Sequence, residues 1–394
     1  TTADNNTAVG RRALLTNTTG ANNVAVGYGS ADALTTAGGT TAIGTNAMGT
    51  GVVTGDHNTA VGYLAGAALT SGVSNTFTGT VSGDATTTGS YNTAVGRGSL
   101  SANTTASNNT AVGYTALLAN TTGAENAALG VYSLEDNTTG ASLASFGAYA
   151  LRDNTTASEN SAFGKSALML NTTGAGNTAV GKDALRANTT ASNNVAVGLD
   201  ALTTNTTGTN NVAVGAQALD AAVTANDNTA VGHKALTTNT ASSNTALGSE
   251  ALQYNTSGNS NVGIGVQALR ANTTAINNTA VGSSALLANT TASQNTAVGG
   301  RSQEATTTGS DNTSVGWGSL VLNTTGVNNV SLGRSSLAAN TTASNNTAVG
   351  YIALLSNTTG TQNTAVGSLA GDAITTGSGN AAVGYNALGA TTTA

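Results

Sequence analysis

Histidine and paired acidic residues are the side chains here that could supply acid–base or metal chemistry. His57 and His233 are the only histidines among 394 residues, and they lie far apart in the chain, so we do not expect them to share a site. Glu135 and Asp136 form a single acidic doublet, which we interpret as a solvated turn rather than a metal or acid–base site. Cysteine is absent, which excludes disulfides and thiolate metal ligands. We therefore predict no catalytic residue, no metal site and no cofactor, and we do not expect an enzyme.

The segment Asn-Thr-Thr recurs throughout the chain and has two interpretations. Asn17, Asn103, Asn120 and Asn137 stand in Asn-x-Thr sequons, which accept N-linked glycans in secreted proteins. Asparagine is also a turn residue, and its side-chain amides can stack into hydrogen-bonded ladders. We favour the ladder, because a composition rich in Asn and Thr produces sequons by default.

Exposed aromatic side chains could stack on sugar rings. Six of them directly follow a recurrent glycine: Tyr28, Tyr63, Tyr114, Trp317, Tyr351 and Tyr385. They are spread over the chain without a consecutive run. We therefore favour packing between neighbouring repeats over a carbohydrate site.

All of these residues are positioned by one repeat. The pentapeptide Asn-Thr-Ala-Val-Gly first appears at residues 6–10, and its last variant, Asn-Ala-Ala-Val-Gly, at 380–384. Its glycine occurs 23 times, 17 residues apart except for one step of 18, from Gly44 to Gly62, and one of 16, from Gly232 to Gly248. Positions are counted from the pentapeptide asparagine, so that this glycine is position 5. An unbroken short repeat is typical of solenoids, in which each unit contacts mainly its neighbours.

Seventeen residues are too few for a pair of helices but suit one coil of a β-solenoid. The residues at positions 1 to 4 predict a strand, Ala-Leu at positions 8 and 9 a second short strand, and Asn-Thr-Thr-Gly at positions 12 to 15 a turn. Proline, which cannot donate to a β-ladder, is absent. We predict an all-β fold, a parallel β-solenoid or β-roll of about 23 coils, forming a single elongated domain over residues 1–394.

The residue types on the predicted strand indicate how it is covered. Position 4 is Val, Ile, Leu or Phe except at Thr78, and position 3 is Ala, Ser or Gly except at Phe77. Every charged residue lies at positions 6, 7, 10, 11, 16 or 17, which we expect to face solvent. Alternate strand residues face opposite ways, so we expect position 4 to point into the coil and position 3 outward. Because neither position carries a charge, we expect a second copy of the chain to cover the outward face.

We therefore predict a parallel homo-oligomer, most simply a trimer, with these strands nearest its axis. The glycine at position 5 would allow close backbone approach between copies. Solenoids joined end to end into a filament are an alternative arrangement. The residues that represent the repeat and its predicted interface are Ala8, Val9, Gly10, Ala111, Val112, Gly113, Ala179, Val180, Gly181, Ala280, Val281, Gly282, Ala348, Val349 and Gly350.

Composition limits the partners of this chain. Only 7% of residues are charged, the net charge is -6, and no basic cluster occurs, so we expect no nucleic acid as a partner. No apolar run approaches the roughly 20 residues that span a bilayer, and we expect no membrane insertion. The chain begins and ends within the repeat, from which we expect a segment or processed product of a longer protein.

The pattern Asn-Thr-Ala-Val-Gly-x-x-Ala-Leu, as at residues 109–117, resembles the Asn-Ser-Val-Ala-Ile-Gly-x-x-Ala motif in the head repeats of YadA-like trimeric autotransporter adhesins. With its Asn-Thr-Thr-Gly segment, the unit is also similar to repeat regions of bacterial surface proteins and phage tail fibres that end in a cleavable, endosialidase-type intramolecular chaperone. The resemblance implies a parallel β-roll assembled as a trimer on a cell or virion surface. The adhesin-head repeat is usually shorter than the repeat found here.

We interpret the chain as an extracellular structural fibre shaft, bacterial or viral, that supports attachment to a host-surface or glycan receptor. The alternative is an ice-binding solenoid, because threonines at positions 2, 13 and 14 would form regular ranks.

Overall fold

The computed structural model describes residues 3–393 and shows the predicted all-β fold, a parallel β-solenoid with a 17-residue spacing. The chain divides into two compact units between Asn194 and Val195. Both units have the same architecture, and each is described by itself. A single elongated domain over residues 1–394 stays a prediction.

Each coil contributes one strand of three residues, from position 2 to position 4. The first unit contains β1 (Thr7–Val9), β2 (Val24–Val26), β3 (Thr41–Ile43), β4 (Thr59–Val61), β5 (Thr76–Thr78), β6 (Thr93–Val95), β7 (Thr110–Val112), β8 (Ala127–Leu129), β9 (Ala144–Phe146), β10 (Ser161–Phe163) and β11 (Thr178–Val180). The second unit contains β12 (Val195–Val197), β13 (Val212–Val214), β14 (Thr229–Val231), β15 (Thr245–Leu247), β16 (Val262–Ile264), β17 (Thr279–Val281), β18 (Thr296–Val298), β19 (Thr313–Val315), β20 (Val330–Leu332), β21 (Thr347–Val349), β22 (Thr364–Val366) and β23 (Ala381–Val383).

Within each unit, successive strands pair in parallel and in register. Ala94 pairs with Ala111, for example, so equivalent positions stack in columns about 4.8 Å apart. The register survives both irregular steps, since Thr41 pairs with Thr59 across the 18-residue step, and position 2 likewise pairs with position 2 across the 16-residue step. The inserted and the missing residue are therefore accommodated outside the strands.

Backbone hydrogen bonds between coils continue well beyond the strand. At position 5 the N–H of Gly113 donates to the carbonyl of Val95 in the preceding coil (2.8 Å), and at position 9 the N–H of Leu117 donates to Ser133 in the following coil (2.9 Å). This ladder around the coil explains why proline, which lacks the N–H, is absent from the sequence.

Positions 8 and 9 do not form the predicted second strand. They lie in a turn, and the leucine at position 9 is left-handed, with φ of 56° at Leu117 and 53° at Leu134. Ala116 and Leu117 are adjacent yet both fully buried, whereas adjacent residues of an extended strand would face opposite sides. The prediction was wrong because a left-handed leucine is rare and its propensity does not signal it.

Position 5 is always glycine because two constraints exclude a side chain. Gly130 has a φ of 140°, and a Cβ added there would lie 2.5 Å from the carbonyl oxygen of Gly147 in the next coil. The close backbone approach predicted for this glycine therefore exists between successive coils of one chain. Close approach between copies at this glycine stays a prediction.

The core is narrow, and one coil shows how little space it offers. Phe77 replaces the usual alanine at position 3 and is fully buried. It fits because Gly66 and Gly83 stand at position 9 of the preceding coil and its own coil, where most coils have leucine. A Cβ on Gly83 would lie 2.5 Å from the phenyl ring. The alanine column is thus small because leucines stand opposite it.

Candidate interaction surfaces

The two faces of the strand are reversed relative to the prediction. Position 3 points into the coil, and Ala94 and Ala111 have no exposed surface, whereas Leu129 at position 4 is 47% exposed. The predicted orientation was wrong, because the alternating pattern does not say which phase is inside. Alanine is the inward residue since the narrow core has no room for valine opposite leucine.

The alanines, glycines and valines that represent the repeat and its predicted interface have different surroundings. Four alanines are fully buried: Ala111, Ala179, Ala280 and Ala348. Ala8, in the first strand, is exposed. The glycines have φ between 127° and 142° and serve coil stacking: Gly10, Gly113, Gly181, Gly282 and Gly350. The valines are exposed or half-buried on the outward face: Val9, Val112, Val180, Val281 and Val349. Of this set, the valines and not the buried alanines are available to a second copy.

Position 4 therefore forms an outward column of apolar side chains in each unit. Phe146 and Phe163 stack with ring centroids 5.0 Å apart and an interplanar angle of 6°. Even so, 37% of Phe146 and 40% of Phe163 stay exposed. Stacking along the column does not remove these side chains from solvent.

Asparagines at positions 1 and 12 form two ladders inside the coil. Asn137 Nδ2 donates to Oδ1 of Asn120 in the preceding coil (2.9 Å) and to the carbonyl of Gly140 in its own coil (3.0 Å). At position 1, the backbone N–H of Asn109 donates to Oδ1 of Asn92 (3.0 Å). The bonds at position 12 confirm the asparagine ladder predicted for the Asn-Thr-Thr segment, and the ladder at position 1 was not predicted.

The ladder at position 12 also makes the buried asparagines of its Asn-x-Thr sequons inaccessible to N-linked glycosylation. Asn103, Asn120 and Asn137 are fully buried, and Asn17 is half-buried, donating to the carbonyl of Gly20 (3.0 Å). In Asn137, both hydrogens of Nδ2, the atom that a glycan would join, are already bonded. Within the folded coils, an N-linked glycan at the three buried asparagines is excluded.

The threonine ranks differ in their exposure. At position 13 the hydroxyl donates to the next coil, as Thr121 Oγ1 does to the carbonyl of Thr138 (3.0 Å). At position 14 Thr105, Thr122 and Thr139 are exposed, and within residues 3–393 their hydroxyls make no hydrogen bond. Position 14 thus presents a rank of free hydroxyl groups.

A run of tyrosines packs across coils on another flank. Tyr114 and Tyr132 meet edge to face, with centroids 5.4 Å apart, and Tyr132 stacks on Tyr149 at 5.2 Å. The guanidinium of Arg97 lies 5.6 Å from the Tyr114 ring. Packing between repeats is confirmed for Tyr114. The run was missed because Tyr114 lies at position 6 whereas Tyr132 and Tyr149 lie at position 7, and comparing neighbouring positions would have shown it.

The acidic doublet lies in a turn, as predicted, beside Arg152 and Asp153. Burial, and then the charge of Asp136, raises the pKa of Glu135 above its ordinary value, and burial followed by Asp153 does the same to the pKa of Asp136. Arg152 Nε is held by Asp153 (2.5 Å). The doublet is a partly desolvated acidic pair opposed by a single guanidinium.

No family model matches this chain, and a search of the curated proteins found no similar sequence. Within the described residues, no helix is long and apolar enough to cross a membrane.

The remaining candidate chemistry stays dispersed. His57 and His233 are both exposed and lie in different units. In the part of the chain from residue 3 to residue 393, no group of three or more His, Cys, Asp or Glu is placed to hold a metal ion. The exterior instead offers an apolar strand face, a threonine rank and a flank that carries charged and aromatic residues.

Proposed function

We propose that this chain is an extracellular structural fibre shaft, in which copies pack side by side through the outward column at position 4. The supporting observation is that this column is apolar in every copy but one while standing outside the core. Ile43 is 38% exposed, Val95 37% and Leu247 46%. Core packing within one chain therefore does not account for its apolar character.

The size of the face suits an interface between copies. Eleven strands at a spacing of about 4.8 Å make the face of the first unit about 50 Å long, and three residues make it about 10 Å wide. Each unit thus offers about 500 Å², which is more than half of the ~800 Å² that each partner buries in a typical stable interface. Parallel sheets are also normally covered on both faces.

The arrangement we propose is parallel, and most simply trimeric. Because successive strands are in register, two such faces match column to column when the chains run in the same direction. The trimer is the assembly of the adhesin heads that the repeat resembles. The role is mechanical: the repeat supplies length, and ladders between coils supply stiffness on a cell or virion surface.

The test is the mass of the particle in solution. Val95→Lys, Val112→Lys and Val180→Lys, combined, should convert the assembly into a folded monomer, because three charges would otherwise be buried between copies. The matched control places three lysines at position 6 by Thr80→Lys, Ser249→Lys and Ser283→Lys, since lysine occurs there naturally at Lys165 and Lys182, and it should leave the mass unchanged. A wild-type chain that light scattering shows to be monomeric at all concentrations contradicts the proposal.

A second candidate function, ice binding, is favoured by the rank of free hydroxyls at position 14. Thr105, Thr122 and Thr139 stand one coil apart on an exposed flank, about 4.8 Å from one to the next. A thermal hysteresis assay separates the two functions. Activity in a soluble monomer that disappears in the triple variant Thr105→Lys, Thr122→Lys and Thr139→Lys supports ice binding, and its absence from the wild-type chain rejects it.

A further inference from the structure

One cavity opens on the second unit, on the flank formed by positions 6, 7, 10 and 11. Its volume is about 430 Å³, which falls within the range of small-molecule sites. The lining residues are Arg301, Trp317, Gly318, Val321, Leu322, Ser335, Ala338, Ala339, Leu355 and Ser356. The outward column at position 4 contributes none of them, so the residues of the cavity differ from those of the proposed interface between copies.

The repeat explains why a cavity exists at this place. Ala338 and Ala339 occupy positions 10 and 11 of one coil, while the coils on either side carry Val321 with Leu322, and Leu355. The two alanines therefore form the floor of a notch one coil wide. Gly318 at position 7 keeps the edge beside Trp317 open.

The chemistry of the lining fits a sugar ring. Trp317 is 51% exposed and lines the cavity, and an exposed indole can pack against the apolar side of a sugar ring. The hydroxyls of Ser335 and Ser356 make no hydrogen bond within residues 3–393, and they are free to pair with sugar hydroxyls. An apolar wall with a few polar groups is the usual composition of a small-molecule site.

The charges beside Trp317 select the kind of sugar. The Arg301 guanidinium lies 5.9 Å and the Arg334 guanidinium 5.5 Å from the indole centroid. Arg301 pairs with Glu304 (2.7 Å), whereas no carboxylate among the described residues lies within ion-pair distance of Arg334. This leaves one positive charge beside Trp317 that no carboxylate offsets, in a chain with net charge -6, and a guanidinium can pair with a carboxylate through two parallel hydrogen bonds.

We propose that this cavity binds an acidic saccharide of one or two rings, a uronic acid type of sugar, with a ring stacked on Trp317 and its carboxylate paired with Arg334. Trp317 is the single tryptophan beside nine tyrosines, so emission excited selectively from tryptophan reports on this site alone. Titration with digalacturonate should change the emission saturably, whereas neutral digalactose should bind at least about tenfold more weakly, because it lacks the charge-assisted pair.

Three variants and one control locate the binding. Ala339→Leu, which introduces a side chain found at position 11 in Leu322, should fill the notch and abolish the titration, and the matched Ala119→Leu in the first unit should leave it unchanged. Arg334→Gln should remove the preference for the acidic sugar while the emission of Trp317 in the free protein stays that of a folded chain. Calorimetry on Trp317→Ala, in which the fluorescent probe is lost, should show no binding.

The proposal is overturned if digalacturonate produces neither heat nor an emission change up to its solubility limit. It is also overturned if Ala339→Leu binds as the wild type does, or if the neutral sugar binds equally well. None of these results bears on the mass of the particle, so failure of this site and failure of the fibre proposal are distinguishable.

Discussion

Positions 3 and 4 of the coil are adjacent on one strand, and they differ in what constrains them. The inward column at position 3 is small because leucines fill the space opposite, and it carries a large residue only at Phe77, where Gly66 and Gly83 make room. The outward column at position 4 is large and apolar although it fills no core. Coil stacking explains the first column, and we propose that a contact outside the chain explains the second.

The largest loss of stability should come from a substitution at position 5, where the glycine packs against the backbone of the next coil. Gly130→Ala should destabilise the fold by about 3–6 kcal/mol, because it combines a positive φ with overpacking against Gly147. Gly98→Ala is the matched control, since φ there is 66° but the nearest atom to an added Cβ, Thr115 Cγ2, lies 3.5 Å away. Urea unfolding followed by circular dichroism measures both. Equal losses would show that the φ alone, rather than the approach of coils, fixes the glycine.

The next largest effect should come from Phe77, the one large residue in the inward column at position 3. Phe77→Ala should lower the free energy of unfolding by about 3–5 kcal/mol through the cavity it leaves. Gly83→Leu, which clashes with Phe77 in the wild type, should partly restore stability when combined with Phe77→Ala. A double-mutant cycle measures the coupling. Additive losses would contradict the argument that leucine and the position-3 residue share one space.

A break in the asparagine ladder at position 12 should cause the third largest loss of stability. Asn137→Ala removes the bonds to Asn120 and Gly140 and leaves Nδ2 of Asn154, now bonded to Asn137 Oδ1 at 2.9 Å, without that acceptor. We expect a loss of about 2–4 kcal/mol, since buried polar groups without partners are costly. The exposed control, Thr122→Ala at position 14, should change the unfolding midpoint little. Comparable shifts in the two variants would contradict an energetic role for the ladder.

The smallest effect should be the pH dependence of stability that arises from a partly buried carboxyl group, that of Asp220. Burial, and then Asp200, raises the pKa of Asp220 above its ordinary value. A carboxyl whose pKa is higher in the fold than in the unfolded chain lowers stability above the folded pKa, and this penalty disappears as the pH falls through that value. Asp220→Asn should therefore raise the melting temperature at pH 7 and have little effect at low pH. An equal rise at both pH values would assign the gain to packing.

The coil and the stacking of coils could be predicted from the sequence, but the direction in which the strand side chains point could not. The repeat predicts the strand at Thr110–Val112, the solvent-facing charges and the asparagine ladder at position 12, because each depends on spacing or local turn chemistry. It placed Val112 inside and Ala111 outside, because hydrophobicity ranks valine above alanine and carries no information on the width of the core. The left-handed Leu117 was beyond local propensity, since burial within the stacked coils compensates its backbone cost.

For the candidate surfaces too, single residues could be predicted from the sequence, but contacts between neighbouring coils could not. Trp317 and the six-residue set to which it belongs were visible in the sequence, but the cavity beside Trp317 depends on Ala338 and Ala339 lying between larger residues of neighbouring coils. That contrast appears only when columns, rather than single positions, are compared. The tyrosine run from Tyr114 to Tyr149 was missed for the same reason.

The central claim is that another copy covers the outward column in parallel register, and cross-linking through introduced thiols tests it most directly. The chain has no cysteine, so Val112→Cys places one thiol per copy on this face, and Thr122→Cys places one on the exposed flank as a control. With a short bifunctional maleimide, the account predicts that Val112→Cys forms cross-linked chains efficiently at low protein concentration while Thr122→Cys does not. Cross-linking that is no more efficient at residue 112 than at residue 122 would contradict it.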